Sequence, residues 1–292
     1  MGNFIRFECF DDVMSNIKFG PAGLGPVKDA ISRLEELHDL GLRACEVAFV
    51  RQVYIKKDDA IEIGKRAKEL GIFLSIHAQY YVNLNSKEAE KIEASKKRIL
   101  NCCEIGNYLG AKRVVFHPGF YSDMSSENAR EIIKGGILEM MAVIKKNGWD
   151  VELCPEVMGK VNVFGSIDEI AWLVDETGCG CCIDIAHVLA RYGKYEFDKL
   201  EKAFPHKNWH VHFSGIEYGE KGEKNHKLTE VENWKKVLGF LKKLDAHKGV
   251  PSKLGADASS SSGKDVVLIC ESPDPVGDSV VGECLARELN IR

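Results

Sequence analysis

Side chains of the types that bind divalent metals follow successive apolar runs in this sequence. They are His77, His117, Glu156, Asp184 with His187, His212, and Glu271. One such histidine alone is usually a hydrogen-bonded structural residue, and one glutamate alone can belong to an ion pair. Six run ends that converge on one place would bury several charges together, which is costly unless a cation offsets them. The set therefore predicts a metal centre.

Imidazole and carboxylate ligands without a thiolate favour zinc, with Mn²⁺ and iron as the competing ions. Because the ligands outnumber the three or four that one ion needs, we expect two or three ions. Asp184 and His187 lie three residues apart across a strand end, so they cannot share one strand face and can serve different ions. In "HVHFSG", His212 is the predicted ligand, and His210, one pleat deeper, is expected to support it or to pack in the core.

The elements that must position these residues alternate along the chain. Short apolar runs occupy 16–20, 44–49, 73–78, 113–119, 151–157, 181–187, 209–215 and 265–272, and helical patterns occupy 28–40, 56–70, 87–109, 126–147, 166–176, 194–203, 229–245 and 277–289. C-terminal helix caps are expected at Gly41, Gly71, Gly110 and Gly148. Eight apolar strands, each followed by a helix, predict an α/β protein with a (β/α)8 TIM barrel. The carboxyl ends of its strands would face the active site.

An open doubly wound sheet is the alternative architecture. Such a sheet usually carries a glycine-rich phosphate loop after its first strand, and "GPAGLGP" at 20–26 lacks the G-x-G-x-x-G spacing. A chain of 292 residues suits one barrel, so we expect a single domain over 1–292. It would have an N-terminal extension at 1–15, where "FIRFECF" could form an extra strand. A flexible Gly/Ser-rich insertion at about 246–264 would lie at the bottom of the barrel.

Composition restricts the partners and the location. The 40 basic and 44 acidic residues give a net charge of −4, which weakens a nucleic-acid interpretation without excluding it. No stretch is apolar enough to span a bilayer and the N-terminus lacks the apolar core of a signal peptide, so we expect a cytoplasmic protein, monomeric and without a membrane partner. Cys179 and Cys182 form one C-x-x-C without a second pair, and buried thiols are expected there rather than a zinc or redox site.

Several of the strand-end motifs resemble those of the endonuclease IV family of apurinic/apyrimidinic endonucleases, within the xylose-isomerase-like TIM barrel superfamily. The motifs are "HAQYYVNL" (77–84), "FHPG" (116–119), "PEVMGK" (155–160), "CIDIAH" (182–187), "HFSG" (212–215) and "ESPDP" (271–275). The resemblance extends from about residue 16 to the C-terminus. "FHPG" in the fourth predicted strand and "CIDIAH" in the sixth are specific in combination.

The resemblance implies a trinuclear zinc centre. One ion would be held by His77, His117 and Glu156, and a second by Glu156, Asp184, His212 and Glu271, with Glu156 bridging the two. His187 would hold a third ion together with residues of the loop after the seventh strand. The family usually has an Asp-x-His pair in that loop, and this chain reads Glu223-Lys224-Asn225-His226. His226 is the expected ligand there, and Glu223 is the second candidate.

The resemblance also implies hydrolysis of the phosphodiester bond 5′ to abasic sites in double-stranded DNA, a step of base excision repair. Glu271 would orient the attacking water or accept its proton, and Glu156 would act as the bridging carboxylate. No serine or cysteine nucleophile is evident. The family extrudes the abasic sugar, and Tyr80 and Tyr81 would then contact the groove while Arg51 enters the base stack.

Two other function classes remain open from the sequence. A metal-dependent sugar or sugar-phosphate isomerase or epimerase of the same superfamily would share the barrel and several strand-end carboxylates. The number of histidines favours the nuclease, whereas the acidic net charge and the altered loop favour the isomerase. A metal-binding module without catalysis would leave an open coordination position unexplained.

Overall fold

The computed structural model describes residues 17–205, 208–246 and 266–291. The extension predicted at 1–15 lies outside the described residues. So does the insertion predicted at 246–264, except for its first residue, which ends a helix.

Twelve strands and nine α-helices occupy the described part of the chain. The strands are β1 (Ile17–Pro21), β2 (Ala44–Ala48), β3 (Phe73–His77), β4 (Arg113–Phe116), β5 (Gly119–Phe120), β6 (Glu152–Pro155), β7 (Val163–Phe164), β8 (Cys182–Asp184), β9 (Trp209–Phe213), β10 (Gly215–Gly219), β11 (Gly222–Lys227) and β12 (Val266–Cys270). The helices are α1 (Ala30–Asp39), α2 (Lys57–Glu69), α3 (Ala89–Leu109), α4 (Ser126–Asn147), α5 (Ile167–Thr177), α6 (Ile185–Tyr192), α7 (Phe197–Ala203), α8 (Val231–Ala246) and α9 (Pro275–Glu288).

Eight of these strands form a closed parallel barrel. One half is a four-stranded sheet in the order β1-β12-β9-β8, and the other is a four-stranded sheet in the order β2-β3-β4-β6. Two single parallel bridges join the halves, one between Ala22 and Glu46 and the other between Glu156 and Cys182. Helices follow the strands around the outside, which confirms the predicted (β/α)8 barrel.

The two-residue period of the strands separates the packed outer layer from the barrel interior. On β9, Trp209 and Phe213 point outward, and Phe213 packs edge-on against Trp234 of α8 with ring centroids 5.0 Å apart. His210 and His212 alternate with them and point inward. The predicted caps Gly41, Gly71, Gly110 and Gly148 have φ of +81°, +66°, +68° and +65°, the left-handed conformation that glycine adopts most readily.

Three segments differ from the sequence-based prediction. The strand β8 ends at Asp184 rather than at 187, because Asp184 caps helix α6: its Oδ1 accepts a hydrogen bond from the His187 backbone N–H at 2.7 Å. The helix predicted over 194–203 begins three residues later, as α7 (Phe197–Ala203). Helix α6 (Ile185–Tyr192) was not predicted. The charged stretch after β9 was interpreted as a loop, but it forms the antiparallel β10–β11 hairpin.

A short antiparallel pair, β5 with β7, joins the loops after β4 and β6 at the same end of the barrel. No helix within the described ranges is long and apolar enough to cross a bilayer.

Candidate metal centre

The carboxylate of Glu156, directly after β6, lies among four imidazole rings. Its Oε2 is 3.3 Å from His77 Nε2 and 3.1 Å from His117 Nε2. Its Oε1 is 3.1 Å from His187 Nδ1 and 3.6 Å from His212 Nδ1. These rings come from the ends of β3, β4 and β9 and from the first turn of α6, so four separate segments converge on one buried carboxylate.

Two further carboxylates lie close to Glu156. Asp184 is fully buried at the end of β8, and Glu271 follows β12 with its Oε2 3.4 Å from His212 Nδ1. Burial raises the pKa of Asp184 to about 8; His187 opposes that rise, and the charges of Glu156 and Glu271 add to it. Three carboxylates crowded into one buried site repel one another, and a cation would relieve that repulsion.

Several buried polar atoms in this cluster have no hydrogen-bond partner within the described ranges. They include Glu156 Oε1, Asp184 Oδ2, His187 Nε2 and His212 Nδ1. A buried polar atom without a partner costs about 1–3 kcal/mol, so a cluster of them is unusual in a folded interior. All four atoms are of types that bind zinc, and the donor set therefore fits a metal.

Two histidines have Nδ1 against a backbone carbonyl, which leaves Nε2 available to a metal; in His187 the same Nδ1 also lies 3.1 Å from Glu156 Oε1 and from Asp184 Oδ2. His77 Nδ1 donates to the Ala78 carbonyl at 2.9 Å, and His187 Nδ1 donates to the Val157 carbonyl at 3.1 Å. A carbonyl oxygen can only accept, so each Nδ1 carries the hydrogen and each Nε2 presents a lone pair to the site. This arrangement is the usual support for histidines that bind metals.

Potential ligand atoms form three groups that match the predicted sets, with all atoms of a group within 4.8 Å of one another. The groups are His77, His117 and Glu156; Glu156, Asp184, His212 and Glu271; and His187, Glu223 and His226. The structure thus brings together all nine side chains that the sequence singled out as ligands.

The third group depends on a bulge in the β10–β11 hairpin. Glu217 pairs with Asn225, whereas the next residue of β10, Tyr218, pairs with Glu223, so Lys224 is an extra residue in β11. Residues three apart in a regular strand face opposite sides, but one inserted residue returns them to the same side. The bulge therefore lets Glu223 and His226 both face His187 despite the wider spacing in the sequence.

His226 is further oriented by Ser214, a residue that the sequence reasoning did not single out. Ser214 Oγ donates to the Gly215 carbonyl at 2.9 Å and lies 2.7 Å from His226 Nδ1. The serine hydroxyl has only one hydrogen, so His226 Nδ1 is the donor in that contact. Burial lowers the pKa of His226, which favours the neutral imidazole that a metal requires.

Close contact between two glycines allows the hairpin to reach the site. An added Cβ at Gly222, whose φ is +89°, would lie 2.1 Å from the Gly159 carbonyl oxygen. An added Cβ at Gly159 would lie 2.8 Å from Glu223 Cβ and 2.9 Å from His187 Cδ2. Side chains at these positions would force the hairpin away from the loop after β6, and one at Gly159 would also press on His187.

Replacement of Gly159 by alanine is expected to weaken metal binding at the His187–Glu223–His226 group alone, because the new methyl group displaces Glu223. Disturbing the residues that orient a metal ligand usually lowers metal affinity by roughly 10–100-fold. We therefore expect the metal content to fall by about one equivalent per protein. Gly135→Ala is the matched control, since an added Cβ there has no neighbour within 4 Å. An unchanged metal content in Gly159→Ala would contradict this account of the hairpin.

Glu46 of β2 is the main site residue that the sequence reasoning missed. It is fully buried, and its Oε2 lies 2.9 Å from His210 Nε2 while its Oε1 lies 3.0 Å from His212 Nε2. Burial raises the pKa of Glu46, but His212 and His210 outweigh this effect and hold it well below its usual value. Burial lowers the pKa of His210 to about 4. The signal in the sequence is a carboxylate in the middle of the apolar run "ACEVAF".

The predicted substrate-binding residues lie at the open end of the barrel. The ring of Tyr80 is 6.0 Å from that of His77 and 5.8 Å from that of His117, and the residue is 58% exposed. Tyr81 is 63% exposed, and Arg51 is exposed on the loop after β2. A pocket of about 220 Å³ opens beside them, lined by Tyr80, Phe49 and Glu271 among others.

The two cysteines of the C-x-x-C are both buried and free. Burial raises the pKa of Cys179 to about 11 and that of Cys182 well above its usual value, so both remain thiols. Cys182 lies on the barrel interior near His210 and His212, with ligand atoms within 4.8 Å of one another.

Comparison with known proteins gives one family and several relatives. Residues 34–250 match the family described as a xylose isomerase-like TIM barrel. An uncharacterised protein of Methanocaldococcus jannaschii is 37% identical over 90% of this chain and 94% of its own length. A probable endonuclease 4 of Metamycoplasma arthritidis is 28% identical, but the alignment covers only 44% of this chain and 46% of the relative.

Solved structures of two kinds share the fold. Endonuclease IV from Thermus thermophilus superposes with a TM-score of 0.66 at 22% identity, over 93% of this chain and 97% of the other. A D-psicose 3-epimerase from Clostridium cellulolyticum superposes with a TM-score of 0.61 at 12% identity, over 94% and 99%. The family match covers most of the chain and supports the resemblance to endonuclease IV. The protein therefore belongs to the xylose isomerase-like TIM barrel family.

Proposed function

We propose that the protein is a zinc-dependent endonuclease that hydrolyses the phosphodiester bond 5′ to abasic sites in double-stranded DNA. The observation that carries the proposal is that Glu156 belongs to two ligand groups: its Oε2 faces His77 and His117, and its Oε1 faces His212. A carboxylate in that position can bridge two ions. The third group around His187 adds ligands that a sugar isomerase with one or two ions does not need.

The residues of the site could divide the hydrolysis between them. Ions held by the three groups would supply Lewis-acid chemistry, which lowers the pKa of water and offsets charge on the phosphate oxygens. Burial raises the pKa of Glu271, but the charge and hydrogen bond of His212 outweigh burial and lower this pKa to about 2. The carboxylate is therefore ionised at neutral pH. The Glu271 side chain is 20% exposed at the open end of the barrel. Its carboxylate can accept a hydrogen bond from the attacking water and so orient that water.

The rim of the site suits a substrate that remains largely outside the barrel. Tyr80 and Tyr81 present exposed rings, and base–aromatic stacking is worth about 1–3 kcal/mol per base in nucleic-acid complexes. Arg51 places a positive charge on the neighbouring loop, where it could contact a phosphate. An abasic sugar is the least costly nucleotide to extrude, because no base has to be unstacked.

The test is incubation of the purified protein with a duplex that carries one abasic site and a labelled 5′ end. We expect a single nick 5′ to the lesion that is lost with a chelator and restored by Zn²⁺ or Mn²⁺. The matched control is the same duplex with an intact base, which should remain uncut. Metal-loaded protein that leaves the abasic duplex intact would contradict the proposal.

A metal-dependent sugar epimerase is the second candidate. It is favoured by the group of Glu156, Asp184, His212 and Glu271, which could hold one ion without the other histidines, and by the 220 Å³ pocket beside it. The epimerases among the structural neighbours share the fold. Incubation with ketohexoses in D₂O would reveal this activity as deuterium incorporation next to the carbonyl group.

A further inference from the structure

Glu46 lies on the interior of the barrel, below the three ligand groups. Its carboxylate has three contacts that define its position. Ser75 Oγ donates to its Oε2 at 2.7 Å, and His210 Nε2 is 2.9 Å from the same oxygen. Its other oxygen, Oε1, is 3.0 Å from His212 Nε2. All four residues are at most 1% exposed, so the group is closed to solvent.

The backbone holds this group in place. Glu46 and Ser75 are paired residues of neighbouring strands β2 and β3, so their side chains point to the same face of the sheet. Glu46 also forms the bridge to Ala22 that joins the two halves of the barrel. His210 and His212 reach it from β9 in the other half. The carboxylate is therefore supported from both sides of the barrel interior.

The ring of His212 lies between Glu46 and the ligand groups. Its Nε2 faces Glu46, and its Nδ1 faces Glu271 Oε2 at 3.4 Å and Glu156 Oε1 at 3.6 Å. His77 and His226 each have a carbonyl or hydroxyl oxygen at the outer nitrogen. For His212, the Glu46 carboxylate lies 3.0 Å from that nitrogen, as a close ion pair rather than an aligned hydrogen bond. A carboxylate at the outer nitrogen fixes the ring orientation and makes the inner nitrogen a stronger ligand.

We propose that Glu46 is a positioning residue, which holds the Nε2 edge of His212 so that Nδ1 is presented to the metal shared with Glu156, Asp184 and Glu271. The inference deepens the proposed function and rests on its metal requirement. Glu46 itself does not contact the substrate. Ser75 and His210 act through Glu46, because they fix the oxygen that does not face His212.

The test compares metal binding by the wild-type protein, Glu46→Gln and Ser75→Ala, with Co²⁺ as the probe. Glutamine has the shape of glutamate but lacks the charge, and we expect it to weaken one class of Co²⁺ site by about 10–100-fold, measured by competition with a chelator. The visible absorption of the remaining bound Co²⁺ should change as well, because one ligand is misoriented. Ser75→Ala removes one donor to Glu46 Oε2 but leaves the contact between Glu46 and His212 in place, so we expect a smaller loss of Co²⁺ affinity than in Glu46→Gln.

A purely structural role would alter thermal unfolding of the metal-free protein and leave the Co²⁺ spectrum unchanged. A folded Glu46→Gln variant with wild-type Co²⁺ affinity and spectrum would therefore overturn the inference. If Glu46→Gln does not fold, Glu46→Asp decides by the same measurements: it retains the charge but falls one methylene short of His212, and wild-type Co²⁺ binding would again overturn the inference. Neither measurement uses DNA, so a failure of the proposed nuclease activity would be distinguishable.

Discussion

Glu156→Gln is expected to release at least one metal ion and to lower the rate of nicking of abasic DNA by more than about 100-fold. Loss of a residue that only supports a metal ligand costs up to roughly that factor, and Glu156 is expected to be a ligand itself. The reason is geometric. Each oxygen of Glu156 faces two histidines, with all four contacts between 3.1 and 3.6 Å. A glutamine would turn an N–H group toward one of these pairs, and an N–H group cannot bind a cation. The measurements are metal content per protein and the single-turnover nicking rate.

Glu152→Gln is a suitable control for this variant. Glu152 begins the same strand, β6, but its side chain is half exposed at the opposite end of the barrel. The control should retain both its metal and its activity. If Glu156→Gln retained the full metal content, Glu156 would not be a bridging ligand.

Glu271→Gln is expected to retain metal and to lower the nicking rate by about 10²–10⁴-fold, the usual contribution of a group that handles a proton in the transition state. The amide oxygen of glutamine can still bind a cation, but the neutral side chain can no longer take up or orient a proton of the attacking water. Glu271 is the partly exposed carboxylate of its group, next to the pocket, whereas Glu156 and Asp184 are fully buried. Metal content and single-turnover rate, measured on the same sample, separate the two roles.

The control for Glu271→Gln is Glu217→Gln, which neutralises a half-exposed carboxylate on β10 at the same end of the barrel. Glu217 belongs to none of the three ligand groups, so its loss should leave the rate nearly unchanged. A normal rate for Glu271→Gln with the metal retained would remove Glu271 from the proposed chemistry.

The sequence was sufficient to predict the barrel and the polar residues that follow most of its strands. Parallel strands buried on both faces are continuous apolar runs, and a polar residue that ends such a run is conspicuous. His77, His117 and Glu271 were found in this way, and the structure brings them to one site. Their roles as ligands remain predictions.

Residues whose role depends on distant partners were not predictable in the same way. Glu46 lies inside an apolar run, and its partners His210 and His212 are more than 160 positions away in the chain. The bulge at Lys224 could not be predicted from the sequence either, because a register shift depends on how β10 and β11 pair and not on either strand alone. Helix α6 was missed because "IAH" continues the apolar run of β8, and only the cap at Asp184 marks the change.

The two bridges that close the barrel give the site a mechanical role. Each bridge includes a carboxylate of the site, Glu46 at one seam and Glu156 at the other. Asp184, His212 and Glu271 belong to the half-barrel opposite that of Glu156. A cation bound by all four would therefore link the two halves between β6 and β8, where a single bridge pairs the strands. Any ligand that binds only the closed barrel stabilises it by mass action. Metal binding at the site would then also stabilise the closed barrel against separation of its two halves.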